Sequence, residues 1–151
     1  ARQHPRLAPR LARAVRRGND QPHMTLIDID RRALDMASRN VPGENVSTLW
    51  TDIRTARDLP TGLDFVVTNP PFHDAGDEDK TLGQAFITQA ATMLKPGGTL
   101  WLTANRHLPY EATLKPLFAA VDQVAQAHGY KIYAAKKAAA TAHTIKMKQC
   151  K

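Results

Sequence analysis

Asn69-Pro70-Pro71-Phe72 is the most specific chemical motif in the chain. Two consecutive prolines hold the backbone extended and remove two N–H donors. The side-chain carbonyl of Asn69 and the backbone carbonyl of Pro70 can then aim at one spot. Two acceptors at one spot suit an –NH₂ group. The amino nitrogen of guanine or adenine is a poor nucleophile, because its lone pair is delocalised into the ring. Acceptors that hold its hydrogens favour a pyramidal nitrogen and turn the lone pair toward an electrophile. Phe72 offers a flat apolar face on which a base can stack, worth roughly 1–3 kcal/mol. The plainer reading is a strand exit stiffened by prolines, with Phe72 in the core.

The elements around this motif read as alternating strands and helices. Met24–Ile29 is a short apolar run closed by Asp28 and Asp30. Asp30 can cap a helix over Arg31–Asn40, where Ala33, Leu34 and Ala37 fall at helical spacing. Val46–Trp50 reads as a second strand, ending at Thr51 and Asp52. Asp64–Thr68 is a third, and it runs directly into Asn69. The acidic stretch His73–Lys80 reads as a loop, and Leu82–Leu94 as a helix. Lys95-Pro96-Gly97-Gly98 reads as a tight turn before a strand over Thr99–Thr103. A helix is expected over Tyr110–Ala120. His128-Gly129 between Asp122–Ala127 and Tyr130–Ala134 is a hairpin signal. Upstream, Leu7 to Arg17 reads as a short basic helix.

Such alternation predicts an α/β doubly wound sheet, mostly parallel, with helices on both faces and a C-terminal antiparallel hairpin. Ligands in such sheets sit beyond the carboxyl ends of the strands. Polar residues gather at three of those ends here: Asp28 and Asp30, then Thr51 and Asp52, then Asn69.

Composition fits one domain. The chain has 151 residues, 42% hydrophobic and 23% charged, and a net charge of +7. No apolar run approaches the roughly 20 residues that a helix needs to span a bilayer. The single cysteine, Cys150, excludes an internal disulfide framework and points to a reducing, cytoplasmic setting. The six histidines show no metal-ligand spacing. His73 and His107 alone lie near the motif, and both read as solvent-facing.

Charge is segregated along the chain. Residues 1–19 hold six arginines and no acid, and residues 123–151 hold six lysines and no acid. All 14 acids lie from Asp20 to Asp122, beside nine bases, leaving that stretch at −5. Basic ends on an acidic body suit a polyanion such as nucleic acid.

The Asn-Pro-Pro-Phe motif at the end of an apolar strand resembles the fourth motif of class I S-adenosylmethionine-dependent methyltransferases acting on amino nitrogens. Together with Leu94-Lys95-Pro96-Gly97-Gly98-Thr99-Leu100, Ala104-Asn105-Arg106-His107-Leu108-Pro109-Tyr110 and Tyr130-Lys131-Ile132-Tyr133, it is similar to the small-subunit ribosomal RNA guanine-2-amino methyltransferases. The resemblance covers about residues 22–137. It implies a Rossmann-like fold, S-adenosyl-L-methionine as cofactor, and ribosomal RNA or a ribosomal subunit as partner, with no membrane and no metal. It implies that Asp28 holds the cofactor's ribose hydroxyls, that Ile29 lies against the adenine, and that Asp52 accepts from the adenine amino group. Asn69, Pro70 and Phe72 would hold the target amine, Asn69 also facing the cofactor. The transfer would go to the 2-amino group of guanine. Adenine and a protein glutamine amide are the same-class alternatives.

One departure stands out. The family carries a glycine-rich loop upstream of the residue matched by Asp28, whereas only Gly18 precedes Asp28 here. The strand that leads into that loop has no counterpart either, although the family places it between the strands ending at Asp28 and Asn69. Residues 1–137 are therefore expected to be an N-terminally incomplete methyltransferase domain, and residues 138–151 a basic tail. The rival from a different class is a non-catalytic RNA-binding module on a degenerate methyltransferase fold.

Overall fold

A computed structural model describes residues 22–41, 43–70 and 77–140. The basic helix expected over residues 7–17, the motif residues Pro71 and Phe72, and the tail from residue 141 lie outside them.

Two strands, β1 (Met24–Asp28) and β2 (Val46–Trp50), pair in parallel and are joined by α1 (Arg31–Asn40). The Asp30 carboxylate accepts from the Arg32 N–H at 2.9 Å, so it caps α1 as its position before the helix predicts. Leu34 buries the inner side of that helix.

The remaining strands form a separate four-stranded sheet. Its members are β3 (Leu63–Thr68), β4 (Leu94–Asn105), β5 (Ala120–Ala127) and β6 (Tyr130–Lys136), in the order β3-β4-β6-β5. β3 and β4 are parallel, whereas β6 is antiparallel to both β4 and β5. Among the described residues, β1 pairs only with β2, and β3 only with β4. No strand among the described residues joins β1 to β3, whereas the resemblance expects a further strand between them.

α2 (Asp77–Met93) and the short α3 (Glu111–Leu114) pack on one face of the four-stranded sheet. Alternate residues of β4, Leu100, Leu102 and Ala104, point into that layer with Tyr133, Ile87 and Leu114. The other face carries Phe65, Val67 and Trp101 exposed. Among the described residues, helices therefore cover one face of this sheet rather than both.

Three boundaries differ from the sequence reading. α2 starts at Asp77 rather than Leu82. Acidic residues at the start of a helix complement the positive end of its dipole, so Asp77, Glu78 and Asp79 suit a first turn better than a loop. β4 starts at Leu94, but Leu63 pairs with Leu94 while Phe65 pairs with Thr99. Lys95–Gly98 is therefore an excursion inside the strand, made by Gly97 at φ 78°. α3 ends after Leu114 instead of continuing to Ala120. Pro116 has no N–H for the next helical bond, and its ring clashes with the preceding turn. The hairpin lies where it was expected, with positive φ at both His128 (51°) and Gly129 (83°), as a two-residue turn of type I′ demands.

Candidate functional site

Asp28 ends β1 opposite Trp50, the last residue of β2. One carboxylate oxygen of Asp28 accepts from the Asp30 N–H at 2.9 Å. That bond fixes the side chain at the strand's carboxyl end. Ile29, the next residue, is 60% exposed. A ring of a bound nucleoside would find an open apolar surface there.

Trp50 was not singled out from the sequence, although an aromatic residue at a strand end just before Thr51-Asp52 was a usable signal. Its indole N–H donates to the Ile29 carbonyl at 2.9 Å, and the Arg31 guanidinium lies 5.5 Å from its ring centre. The indole thus braces the backbone between Asp28 and Asp30. It is also exposed, so it extends the apolar surface begun by Ile29.

Asp52 follows β2 by two residues. Its carboxylate accepts from the Arg54 backbone N–H at 2.9 Å and from the Arg54 guanidinium at 2.5–3.0 Å. Hydrogen bonds from the Arg54 side chain and backbone hold the Asp52 carboxyl below the usual carboxylate range. The turn-forming role and a ligand-facing role therefore compete for the same oxygens. A ligand amino group at Asp52 would have to share them with Arg54.

Asn69 follows Thr68, whose strand partner is Leu102 on β4. The Asn69 side chain is exposed and Pro70 is buried. The proline anchors the strand exit while the Asn69 amide remains accessible. Pro71 and Phe72 lie outside the described residues, so the structure places Asn69 and Pro70 of the motif only. Asp28 ends β1 and Asn69 follows the last residue of β3, the two strands between which the resemblance places a further one.

A third polar group lies on the far side of β4. Glu111, at the start of α3, accepts from Lys131 Nζ at 2.9 Å and from the Tyr133 hydroxyl. Burial would push the Glu111 carboxyl up, but the bonds from Tyr133 and Lys131 outweigh it and bring the pKa down to about 2. Lys131 is nine-tenths buried despite its charge. These three residues tie the end of the Asn105–Tyr110 segment to β6.

Among the described residues, no group of three or more His, Cys, Asp or Glu side chains could hold a metal ion, and no helix is long and apolar enough to cross a membrane.

The model of the methyltransferase small domain matches residues 10–134. A ribosomal RNA large subunit methyltransferase G from Stutzerimonas stutzeri is 38% identical over 111 residues, covering 72% of this chain and 30% of that protein. A ribosomal RNA small subunit methyltransferase C from Shewanella loihica is 41% identical over 76 residues, covering 50% of this chain and 22% of that protein. The chain thus spans less than a third of the length of these curated relatives. Among solved structures, a T. thermophilus 16S rRNA N2 methyltransferase (RsmC), in complex with AdoMet and guanosine, superposes with a TM-score of 0.62 at 30% identity, covering 75% of this chain and 31% of that one. A Burkholderia thailandensis O-methyltransferase family protein gives 0.65 at 16% identity, covering 87% and 48%, a likeness of fold.

Proposed function

The chain belongs to the methyltransferase small domain family and has the class I methyltransferase fold, and from that premise we propose that its protein methylates ribosomal RNA, using S-adenosylmethionine, at the exocyclic 2-amino group of a guanine. Residues 1–137 are the methyltransferase domain in this reading and residues 138–151 a basic tail. The setting is the cytoplasm.

The observation that carries the proposal is Asn69 exposed at the end of β3 with Pro70 buried behind it. Asn69 and the Pro70 carbonyl accept the two amine hydrogens and turn the nitrogen lone pair outward. Phe72 is the stacking face for the base. The residues at the end of β1 suit the cofactor's nucleoside: Asp28 is oriented by its bond to the Asp30 N–H, and Ile29 is open. Asp52 is the weaker partner, since Arg54 already occupies its carboxylate. When bound, S-adenosylmethionine supplies an electrophilic methyl group on a sulfonium. The protein's own task is then positioning, because the amine's proton can leave after the new bond forms.

The names of the relatives and of the guanosine-bound structure support RNA and guanine over the same-class alternatives. Methyl transfer to RNA, DNA and protein glutamine substrates, measured side by side with the full-length protein, tests the reading. Transfer to RNA guanine is expected. Asn69→Ala should lower kcat by about a hundredfold, the usual scale for losing one aimed polar contact. Asp28→Asn should weaken cofactor binding instead. Transfer to protein alone would overturn the RNA assignment, and calorimetry without any cofactor heat would favour a non-catalytic RNA-binding module.

A further inference from the structure

Asn105 ends β4, and the chain turns sharply after it. The Asn105 side chain accepts from the His107 N–H at 3.1 Å, and the Asn105 carbonyl accepts from the Leu108 N–H at 3.0 Å. The Arg106 N–H donates to the Gly129 carbonyl at the tip of the β5–β6 hairpin, at 2.9 Å. Leu108 and Tyr110 are buried. The backbone of this turn is therefore fixed at both ends, while the side chains of Arg106 and His107 face solvent.

The guanidinium is itself oriented. Arg106 Nε donates to His107 Nε2 at 3.0 Å. That bond takes the Nε–H and leaves the two terminal –NH₂ groups to bind an anion. Tyr130, opposite Asn105 in the β4–β6 register, is 50% exposed. No acid occurs from Thr81 to Tyr110 or from Gln123 to Lys151. Arg106 thus follows directly on Asn105, the register partner of Tyr130, where two stretches of sequence without acids meet at one end of the sheet.

This edge lies beside the exit of β3. Thr68 pairs with Leu102, so Asn69 is level with Thr103 on β4, and Arg106 follows three residues later. At about 3.3 Å per residue, the last strand residue Asn105 is roughly 7 Å further along the strand direction, and Arg106 opens the turn beyond it. A group at that spacing would reach the backbone of the nucleotide next to the one held at Asn69.

We propose that Arg106, held by His107, and Tyr130 form a binding edge for the single-stranded RNA flanking the target nucleotide, Arg106 taking a phosphate and Tyr130 stacking a neighbouring base. The proposal rests on the RNA reading of the Asn69 site and adds the part of the substrate that is not methylated. Guanidinium groups suit phosphate because two parallel N–H donors match two oxygens. Aromatic faces stack any base, so this edge contributes affinity more than sequence choice.

The test is binding of a labelled short single-stranded RNA to the full-length protein over a range of salt, with and without cofactor. Arg106→Gln is expected to weaken binding several-fold and to lower the salt slope by about 0.7. Tyr130→Ala should weaken binding about five- to a hundredfold with the slope unchanged. Arg106→Lys should keep the slope. In methylation assays Arg106→Gln should raise KM with kcat retained, and cofactor affinity should equal that of the wild type. An unaltered salt slope in a folded Arg106→Gln protein that still methylates RNA would overturn the edge. If the wild type methylates no RNA yet Arg106→Gln still lowers RNA affinity and slope, the edge stands and the catalytic reading fails.

Discussion

Lys131 Nζ lies 2.9 Å from Glu111 Oε1, joining the last strand of the sheet to the first residue of α3. The Tyr133 hydroxyl donates to the same oxygen. One carboxylate therefore satisfies a buried ammonium and a buried phenol, and it anchors the segment that carries Arg106 and His107.

Stability should depend on this carboxylate in acid. Its pKa is about 2 in the folded protein against 4.5 ordinarily. A depressed carboxyl contributes fully above the ordinary value, and the contribution fades as pH falls toward 2. After allowance for solvent screening it is worth about 1–2 kcal/mol. Urea unfolding of wild type and Glu111→Gln from pH 2 to 7 should show the two curves apart at neutral pH and converging below pH 4.5. Parallel curves would show that the bonds carry no such weight.

Lys137 Nζ donates to the Ala91 carbonyl at 2.7 Å and the Leu94 carbonyl at 2.8 Å, closing the end of α2. A cation at a helix C-terminus satisfies orphan carbonyls and complements the dipole. Lys137→Met should cost about 1–3 kcal/mol in chemical denaturation, whereas Lys136→Met, at an exposed position, should stay within about 0.5 kcal/mol.

Gly83 faces the ring of Tyr110, and a Cβ there would overlap that ring. Alanine gains about 1 kcal/mol in helix propensity, but the overlap forces α2 away from the Asn105–Tyr110 segment. Gly83→Ala should lower the thermal midpoint, and a double-mutant cycle with Tyr110→Leu should recover part of the loss.

The β5–β6 turn places His128 at φ 51°. Asparagine tolerates that region better than histidine and is favoured there before glycine. His128→Asn should stabilise the protein by up to about 1 kcal/mol, and Gly129→Ala, at φ 83°, should destabilise it by about 1 kcal/mol. Unfolding midpoints of the two variants should move in opposite directions.

Local chemistry made several elements legible without coordinates. Asp30 before an amphipathic run specifies the start of α1, His128-Gly129 between β-prone segments specifies the hairpin, and Val46–Trp50 is apolar between turn signals. α3 is shorter than the expected Tyr110–Ala120, because Pro116 breaks the helix after Leu114. At the candidate site, the sequence picked out Asp28, Asp52 and Asn69 by residue type at strand ends. Their engagement with other groups was not legible. The hold of Arg54 on Asp52 depends on a turn's conformation, and the brace from Trp50 to Ile29 depends on parallel register across 21 residues of chain.

The sequence by itself determined the order of strands and helices, the positions of the carboxyl-end residues and the segregation of charge, since each depends on neighbours within a few residues. Only the tertiary structure decided which lysines are structural. Lys131 and Lys137 belong to the same acid-free stretch as the exposed Lys136, yet one is neutralised by Glu111 and the other closes α2. Their partners lie 20 or more residues away, and only sheet register and helix docking bring those partners within hydrogen-bond reach. The same sheet register sets Tyr130 opposite Asn105, the residue before Arg106.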